Sequence, residues 1–152
     1  MPGPTVELAQ ESDIPAWLTL AAEVDALFGE VMSTSPQFRE TLLKNIARGS
    51  AYCVRLENQL AGAMLYRNGW IHWLAVGRQY RHRGVGSALV QHTQDHGEPE
   101  IRVTTFGDGH PHSDAAAAQR FYKALGFEVT GEPATLSPDG TPRIVLLWRR
   151  ET

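Results

Sequence analysis

Cysteine is scarce in this sequence: Cys53 is the one cysteine among 152 residues. An internal disulfide is therefore excluded, and so is a zinc site built from several cysteines of one chain. Long apolar runs are also missing, since the longest, Leu60 to Tyr66, is far shorter than the roughly 18 residues of a membrane span. The first residues show neither the basic nor the apolar region of a signal peptide. We therefore expect a cytoplasmic protein with no membrane partner.

A surplus of positive charge is missing as well. The chain has 14 Lys and Arg against 17 Asp and Glu, a net charge of −3 at pH 7. General nucleic-acid binders usually carry a basic surplus, so we exclude this class and expect no nucleic-acid partner. The length, with 42% hydrophobic and 20% charged residues, predicts one globular domain over residues 1–152. A homodimer is compatible with this composition.

Hydrophobic periodicity and turn residues predict alternating strands and helices. Strands are predicted at residues 5–9, 51–57, 60–67, 70–76, 101–106, 127–130 and 143–148. Helices are predicted between Ser12-Asp13 and Gly29, between Ser35-Pro36 and Gly49, from the 81–86 segment to His96, and from Ser113-Asp114 through Leu125. The order βααβββαβαββ predicts an α+β fold, with a mixed and mostly antiparallel sheet flanked by helices on both faces.

Two turns define the central strands. Asn68-Gly69 is a strong signal for a tight hairpin, because both residues tolerate positive φ. A second turn is predicted at Asn58-Gln59, before the strand at 60–67. Residues 60–67 and 70–76 are therefore expected to pair in antiparallel fashion.

The first chemical feature is the motif Arg81-x-x-Gly84-x-Gly86, which follows a strand and opens a helix. Glycines let the backbone approach a ligand, and the unpaired N–H groups of a helix's first turn bind anions such as a diphosphate. Arg78 and Arg83 add positive charge. A tight turn with solvated arginines is the alternative. The third glycine of a dinucleotide-binding fingerprint is absent, and so is the Gly-Lys-Ser/Thr of a P-loop.

Two motifs in this context resemble the GNAT superfamily of N-acetyltransferases. Leu74-Ala75-Val76, followed after four residues by Arg81-His82-Arg83-Gly84-Val85-Gly86-Ser87-Ala88-Leu89, is similar to the family's acetyl-CoA motif, Gln/Arg-x-x-Gly-x-Gly/Ala. Residues 118–127, Ala-Gln-Arg-Phe-Tyr-Lys-Ala-Leu-Gly-Phe, resemble its second signature, Ala-x-x-x-Tyr-x-x-x-Gly-Phe. The predicted element order also matches, so the resemblance covers nearly the whole chain.

The resemblance implies acetyl-CoA as acetyl donor, bound between two splayed strands at residues 70–76 and 101–106. The pantetheine arm is expected on the backbone of the first strand and the pyrophosphate on the amides of the glycine loop. The implied cofactor-binding residues are Leu74, Ala75, Val76, Arg81, His82, Arg83, Gly84, Val85, Gly86 and Ser87. One departure concerns an asparagine that many members place seven residues before the tyrosine. Here Ala115 stands at that position, and we expect the neighbouring Asp114 to cap a helix.

Tyr122 occupies the position of the family's tyrosine. The resemblance implies a general acid near the cofactor sulfur, and a phenol with a pKa of about 10 stays protonated at neutral pH. The alternative is a tyrosine that only packs beside Phe121.

His72 is the candidate general base. It stands two residues before Leu74, so strand alternation predicts that both lie on one face. A similar strand in one family member carries histidine here, and an imidazole can take a proton near pH 7, directly or through water. The alternative is a histidine satisfied within the strand, with ordered water acting as base.

The acceptor is expected to be the amine of a small molecule or of a peptide. The first 30 residues contain six acids and no base. We predict an acceptor rim at Glu30, Phe28 and Trp70, with Glu23 and Asp25 nearby, and therefore a compact cationic amine, because carboxylates and aromatic rings attract ammonium groups. A merely solvated helix face is the alternative.

Two further interpretations concern metal binding and catalytic activity. No residues are assigned to a metal, because His110 and His112 are interpreted as loop histidines beside a helix start. The intact glycine loop and Tyr122 favour an active acetyltransferase that moves an acetyl group to a primary amine by direct attack on the thioester. The alternative is a non-catalytic acyl-CoA-binding or sensor module with the same fold.

Overall fold

The computed structural model describes residues 4–112, 114–134 and 136–151. The helices are α1 (Ile14–Phe28), α2 (Pro36–Arg48), α3 (Val85–His96) and α4 (Asp114–Ala124). The strands are β1 (Val6–Leu8), β2 (Ala51–Leu56), β3 (Gln59–Arg67), β4 (Trp70–Val76), β5 (Glu100–Phe106), β6 (Glu128–Val129) and β7 (Arg143–Arg149). Short 3₁₀ turns lie at Glu11–Asp13 and Arg78–Tyr80. The predicted α+β fold and its order are confirmed.

The strands form one seven-stranded sheet in the order β1-β2-β3-β4-β5-β7-β6. Neighbouring strands are antiparallel except β4 and β5, which are parallel. These two pair at two positions, Trp70 with Arg102 and Ile71 with Val103. Beyond Ile71 the edge of β4 that faces β5 is unpaired, so the sheet opens at its centre.

An irregularity in β4 accompanies this opening. Leu65 pairs with Trp73, whereas the next residue of β3, Tyr66, pairs with Ile71, so His72 is an extra residue in the ladder. Ile71 packs in the core beneath α3, and Trp73 packs in the core beneath α1 and α2. Residues two apart in a regular strand share a face, so a bulge at His72 reverses the side-chain alternation. The prediction that His72 and Leu74 lie on one face assumed a regular strand, and the strand is irregular at His72.

Helices cover both faces of the sheet, as predicted. One core joins α1 and α2 to the sheet and includes Trp17, Leu42 and Trp73. The other joins α3 and α4 to the opposite face and includes Leu89 and Phe127. Each face therefore buries its own apolar stripe, and the open centre of the sheet connects the two sides.

Several predicted boundaries hold. Gly29 and Gly49 end α1 and α2 at φ of 71° and 74°, a left-handed conformation that suits glycine. The Ser35 hydroxyl caps α2 by accepting a hydrogen bond from the Phe38 N–H at 3.2 Å. Asn68 and Gly69 both have positive φ, as the hairpin requires.

Other boundaries differ. The turn after β2 uses Glu57 and Asn58, both with positive φ, one residue earlier than predicted, because β3 begins at Gln59. Asp13 makes no side-chain cap for α1, since its carboxylate accepts from the Gln10 N–H and pairs with Arg55. Several other ends move by one or two residues. The predicted cap at Ser113 lies outside the described residues. In the described part of the chain, no helix combines the length and the apolarity that crossing a bilayer requires.

Candidate active site

A cleft of about 700 Å³ lies where β4 and β5 separate. Its walls come from β4, the start of α3, α4, β5, and the end of α1 with the following connection. It is lined by all but one of the predicted site residues: Phe28, Glu30, Trp70, His72, Leu74, Ala75, Val76, Arg81, His82, Gly84, Val85, Gly86, Ser87 and Tyr122. Residues that lie far apart in sequence therefore meet in one opening.

The glycine loop presents a helix N-terminus to the cleft. Gly84 precedes α3 with φ of 78°, and no side chain caps this helix within the described residues. The first turn contains no acidic residue. The N–H groups of residues 85–87 therefore remain available to an anion, assisted by the helix dipole.

At Gly86, close packing against a neighbouring helix requires glycine. A Cβ at this position would lie 3.1 Å from Cζ and 3.2 Å from Cε1 of Phe121 in α4. The missing side chain therefore lets α4 pack directly on the start of α3. This contact holds the glycine loop and the helix that carries Tyr122 in one relative position.

Arg81 is held by an ion pair. Its Nη1 donates to Oδ2 of Asp114 at 3.1 Å, and both side chains are about one-third exposed. The prediction that Asp114 caps a helix is wrong. Asp114 is the first residue of α4, and its carboxylate binds Arg81. Its backbone N–H is satisfied by Nδ1 of His112 at 3.1 Å. Ala115, at the position of the family's asparagine, is buried.

Arg83 is the predicted site residue that does not line the cleft. Its guanidinium carbon lies 5.8 Å from the centroid of the Tyr80 ring, and its Nη2 lies 3.8 Å from a carboxylate oxygen of Glu57. The side chain therefore points to the outside of the loop.

Tyr122 is buried in the α3–α4 core and reaches the cleft. Its ring contacts Phe121 and Phe127 edge-on, with centroids 5.0 and 5.5 Å away. Burial raises the pKa of the Tyr122 phenol above its ordinary value. The hydroxyl therefore keeps its proton throughout the neutral range and can donate it.

His72 lines the cleft from an exposed position on β4. Partial burial lowers the pKa of its imidazole, and the positive charge of Arg67 lowers it further. The neutral form, which can accept a proton, is thus favoured at neutral pH.

The opposite end of the cleft is aromatic. Phe28 at the end of α1 lies 5.9 Å from the ring of Trp73 and 5.5 Å from that of Phe106. Trp73 is buried, and its Nε1 has no hydrogen-bond partner among the described residues. Phe28, Glu30 and Trp70 line the cleft here, where the sequence predicts the acceptor rim.

Two acids of the predicted rim have structural partners. Asp25 accepts from the Met32 N–H at 2.8 Å and from the Ser33 hydroxyl at 2.6 Å, which fixes the chain between α1 and α2. Glu23 accepts from the Arg78 N–H at 2.9 Å. Glu30 is exposed and is the acid of this group that lines the cleft.

Sequence reasoning missed part of the lining. The residues for which no site role was predicted come from α4 and the start of β7 and include Asp114, Phe121 and Arg143, whereas Thr104, Thr105 and Phe106 lie on the strand that was expected to form a wall. No local motif marks Arg143, because its position depends on the pairing of β7 with β5. Within the described residues, no group of three or more His, Cys, Asp or Glu side chains could hold a metal ion.

Comparisons with known proteins agree with this architecture. The family model of the acetyltransferase (GNAT) domain matches residues 47–129, more than half of the chain. The chain therefore belongs to the GNAT acetyltransferases, and the resemblance seen in the sequence is confirmed. Among curated proteins, none matches the chain significantly in sequence.

Solved structures show the same fold. A GNAT-family acetyltransferase of Bacillus cereus is 19% identical, with a TM-score of 0.75 over 99% of this chain and 100% of that one. The PaiA N-acetyltransferase of Thermoplasma acidophilum, in complex with coenzyme A, is 14% identical, with a TM-score of 0.69 over 97% and 99%. The ribosomal-protein-S18-alanine N-acetyltransferase of Escherichia coli is 18% identical, with a TM-score of 0.69 over 97% and 94%. The coenzyme A in the second structure agrees with the donor expected from the sequence.

Proposed function

We propose that this protein transfers the acetyl group of acetyl-CoA to a primary amine. The observation that carries the proposal is one cleft in which an uncapped, glycine-opened helix N-terminus and the buried Tyr122 meet at the opening of the sheet. In the reaction, a C–N bond forms between acetyl carbon and amine, the C–S bond breaks, and the thiolate receives a proton. We also propose the cytoplasm as its location.

The residues fit the proposed donor in two places. The first-turn N–H groups of α3 suit the pyrophosphate, and Arg81, whose guanidinium is held by Asp114, lines the cleft with them. The backbone of residues 74–76 has an unpaired edge toward β5, which suits the amides of an extended pantetheine arm. Acetyl-CoA supplies the activated acyl group, and the chain supplies binding, orientation and proton transfer.

Tyr122 is proposed as the general acid. Its raised pKa keeps the phenol protonated, and its ring is held between Phe121 and Phe127. A positioned donor lowers the cost of forming a thiolate, because the negative charge is quenched as it develops.

His72 is proposed as the general base or as the group that orients a basic water. Its lowered pKa means that the imidazole is neutral at neutral pH and gains a proton only at acidic pH. The rate should therefore fall on the acidic side through this pKa.

A second function, binding of acyl-CoA without turnover, would need the same glycine loop but not a proton donor in the cleft. The placement of Tyr122 favours the enzyme. Calorimetry with acetyl-CoA, combined with release of free thiol over a panel of amines, tests both functions. Binding together with amine-dependent thiol release is expected. Binding without such release would assign the sensor function, and absence of binding would overturn both.

A further inference from the structure

Arg143 places a positive charge on the acceptor side of the cleft. It is the first residue of β7 and stands opposite Phe106 in the antiparallel ladder with β5. Residues directly opposite in such a ladder share a face of the sheet. Phe106 contacts Phe28 of α1, so Arg143 lies on the face covered by α1 and not on the face that carries the glycine loop.

A buried serine orients the Arg143 side chain. Its Nε donates to Oγ of Ser137 at 2.8 Å. Ser137 is itself held by a turn, in which its N–H donates to the Thr141 carbonyl at 2.9 Å. With Nε occupied, the two terminal nitrogens of the half-buried guanidinium are left for another partner.

Other arginines near the cleft are neutralised by acids. Arg81 pairs with Asp114 at 3.1 Å, and Arg102, which also belongs to β5, pairs with Glu132 at 3.1 Å. Within the described residues, no carboxylate lies within 4.0 Å of Arg143. Its charge is therefore unbalanced at a surface that a ligand must enter.

Acids that could approach Arg143 from neighbouring segments have other partners or stay in solvent. Asp139, in the same turn, accepts from the Thr141 N–H at 3.1 Å and from its hydroxyl at 2.7 Å. Asp25 is bound to Met32 and Ser33, and Glu30 is exposed at the rim. Among the described residues none of these carboxylates pairs with Arg143, so its guanidinium is available to a carboxylate of a ligand.

The wall beside this charge is apolar, because Phe28, Phe106 and Trp73 form a continuous group of aromatic rings. We propose that the acceptor is an amino carboxylate with an apolar body, an amino acid for example, whose carboxylate pairs with Arg143. The guanidinium fork matches a carboxylate in two parallel hydrogen bonds, which would direct the amine toward the β4–β5 opening. This inference rests on the proposed acetyltransferase activity, and it replaces a purely cationic acceptor.

The test compares three acceptors with the same ring: phenylalanine, phenylalaninamide and phenethylamine. Wild-type kcat/KM should be highest for phenylalanine. Arg143→Gln should lower that value about 10- to 100-fold, the range for a lost hydrogen-bonded charge pair, with little change for the two analogues that lack a carboxylate. Arg143→Lys should restore part of the preference. Arg149→Gln, an exposed arginine of the same strand that does not line the cleft, is the matched control.

The possible results separate the two proposals. If acetyl-CoA binds and any of the amines is acetylated, but phenylalanine is not preferred, the carboxylate inference is wrong while the acetyltransferase survives. An equal loss of kcat/KM for all three acceptors in Arg143→Gln would also overturn the carboxylate inference, because a residue with only a packing role does not distinguish acceptors by their carboxylate. Failure of every amine to stimulate thiol release would count against the proposed function itself.

Discussion

The two ends of the cleft are built in different ways. The end beside α3 consists largely of backbone: an uncapped helix terminus, a glycine with positive φ and an unpaired strand edge. The end beside α1 consists of side chains brought together from α1, β4, β5 and β7, among them Phe28, Trp73, Phe106 and Arg143. Backbone groups are the same in every sequence, so the first end suits a ligand shared by a family. Side chains vary freely, so the second end can set the acceptor of one member.

This difference predicts that each end can be damaged separately. A change at the α3 end should weaken binding of the donor, whereas a change at the α1 end should affect the acceptor. Tyr122 lines the same cleft from α4, and a change there should affect the chemical step alone.

The largest expected effect is that of Tyr122→Phe. This change keeps the buried ring and removes the proposed proton donor, so kcat should fall by about 10²- to 10⁴-fold, the usual range for general acid catalysis. Affinity for acetyl-CoA, measured by calorimetry, should stay nearly unchanged. Tyr52→Phe, which removes a hydroxyl from a tyrosine packed against His92 outside the cleft, is the matched control. A wild-type rate in Tyr122→Phe would leave the residue with a packing role only.

Asp25→Ala should damage the acceptor end. It removes the carboxylate that holds the Met32 N–H and the Ser33 hydroxyl, so the free energy of unfolding should fall by about 2 kcal/mol, as for lost bonds to a charged group. The acceptor KM should rise, while the acetyl-CoA Kd should not move. Denaturant unfolding and steady-state kinetics check both, with the exposed Glu40→Ala as control. A matching loss of acetyl-CoA affinity would show that the two ends are coupled.

Ser87→Glu should damage the donor end. It adds a negative charge in the first turn of α3, where the pyrophosphate is proposed to bind, so the acetyl-CoA Kd should rise at least about tenfold, or 1.4 kcal/mol. Ser87→Gln has nearly the same shape without the charge and should bind almost normally. Ser87 is a better position for this test than Gly86, because any Cβ at Gly86 comes within 3.1 Å of Phe121. Equal affinities of the two Ser87 variants would place the pyrophosphate elsewhere.

The smallest expected effect is a shift of the acidic limb of kcat/KM. Arg67 lowers the pKa of His72, so Arg67→Gln should raise that pKa and move the limb to higher pH. His72→Gln should abolish the limb or displace it. The rate–pH profile measures both, and Arg39→Gln on the exposed side of α2 is the control. If the limb is unchanged in His72→Gln, another group titrates.

Much of the fold could be predicted because its signals are local. The Asn68-Gly69 hairpin and the ends of α1 and α2 at Gly29 and Gly49 depend on a few neighbouring residues with positive φ. The turn after β2 lies one residue earlier than predicted, because Glu57 adopts positive φ. A glutamate gives no indication of this conformation in the sequence. The bulge at His72 was not predictable either, since it appears only in the pairing of β4 with β3.

The cleft was predictable to the extent that its residues belong to motifs. The glycine loop and Tyr122 meet there as expected. Arg83, inside the same motif, points away because Tyr80 and Glu57 attract its guanidinium from the other side of the loop. Charge counting over the first 30 residues suggested an acidic rim, yet Glu23 and Asp25 bind backbone N–H groups. Whether a carboxylate is free to bind a ligand depends on the hydrogen-bond donors nearest to it, and composition does not show which donors these are.

By itself, the sequence determined the order of the elements, the glycine-opened start of α3 and the tyrosine of the cleft, because turns, caps and helix starts are encoded within a few residues. The tertiary structure alone decided which charges are balanced. It joined Arg81 to Asp114, and it brought Arg143 opposite Phe106, where no acid of the described part of the chain pairs with it. The physical reason is that electrostatic and aromatic contacts act between atoms a few ångströms apart, and strand pairing brings together atoms whose residues are distant in the chain.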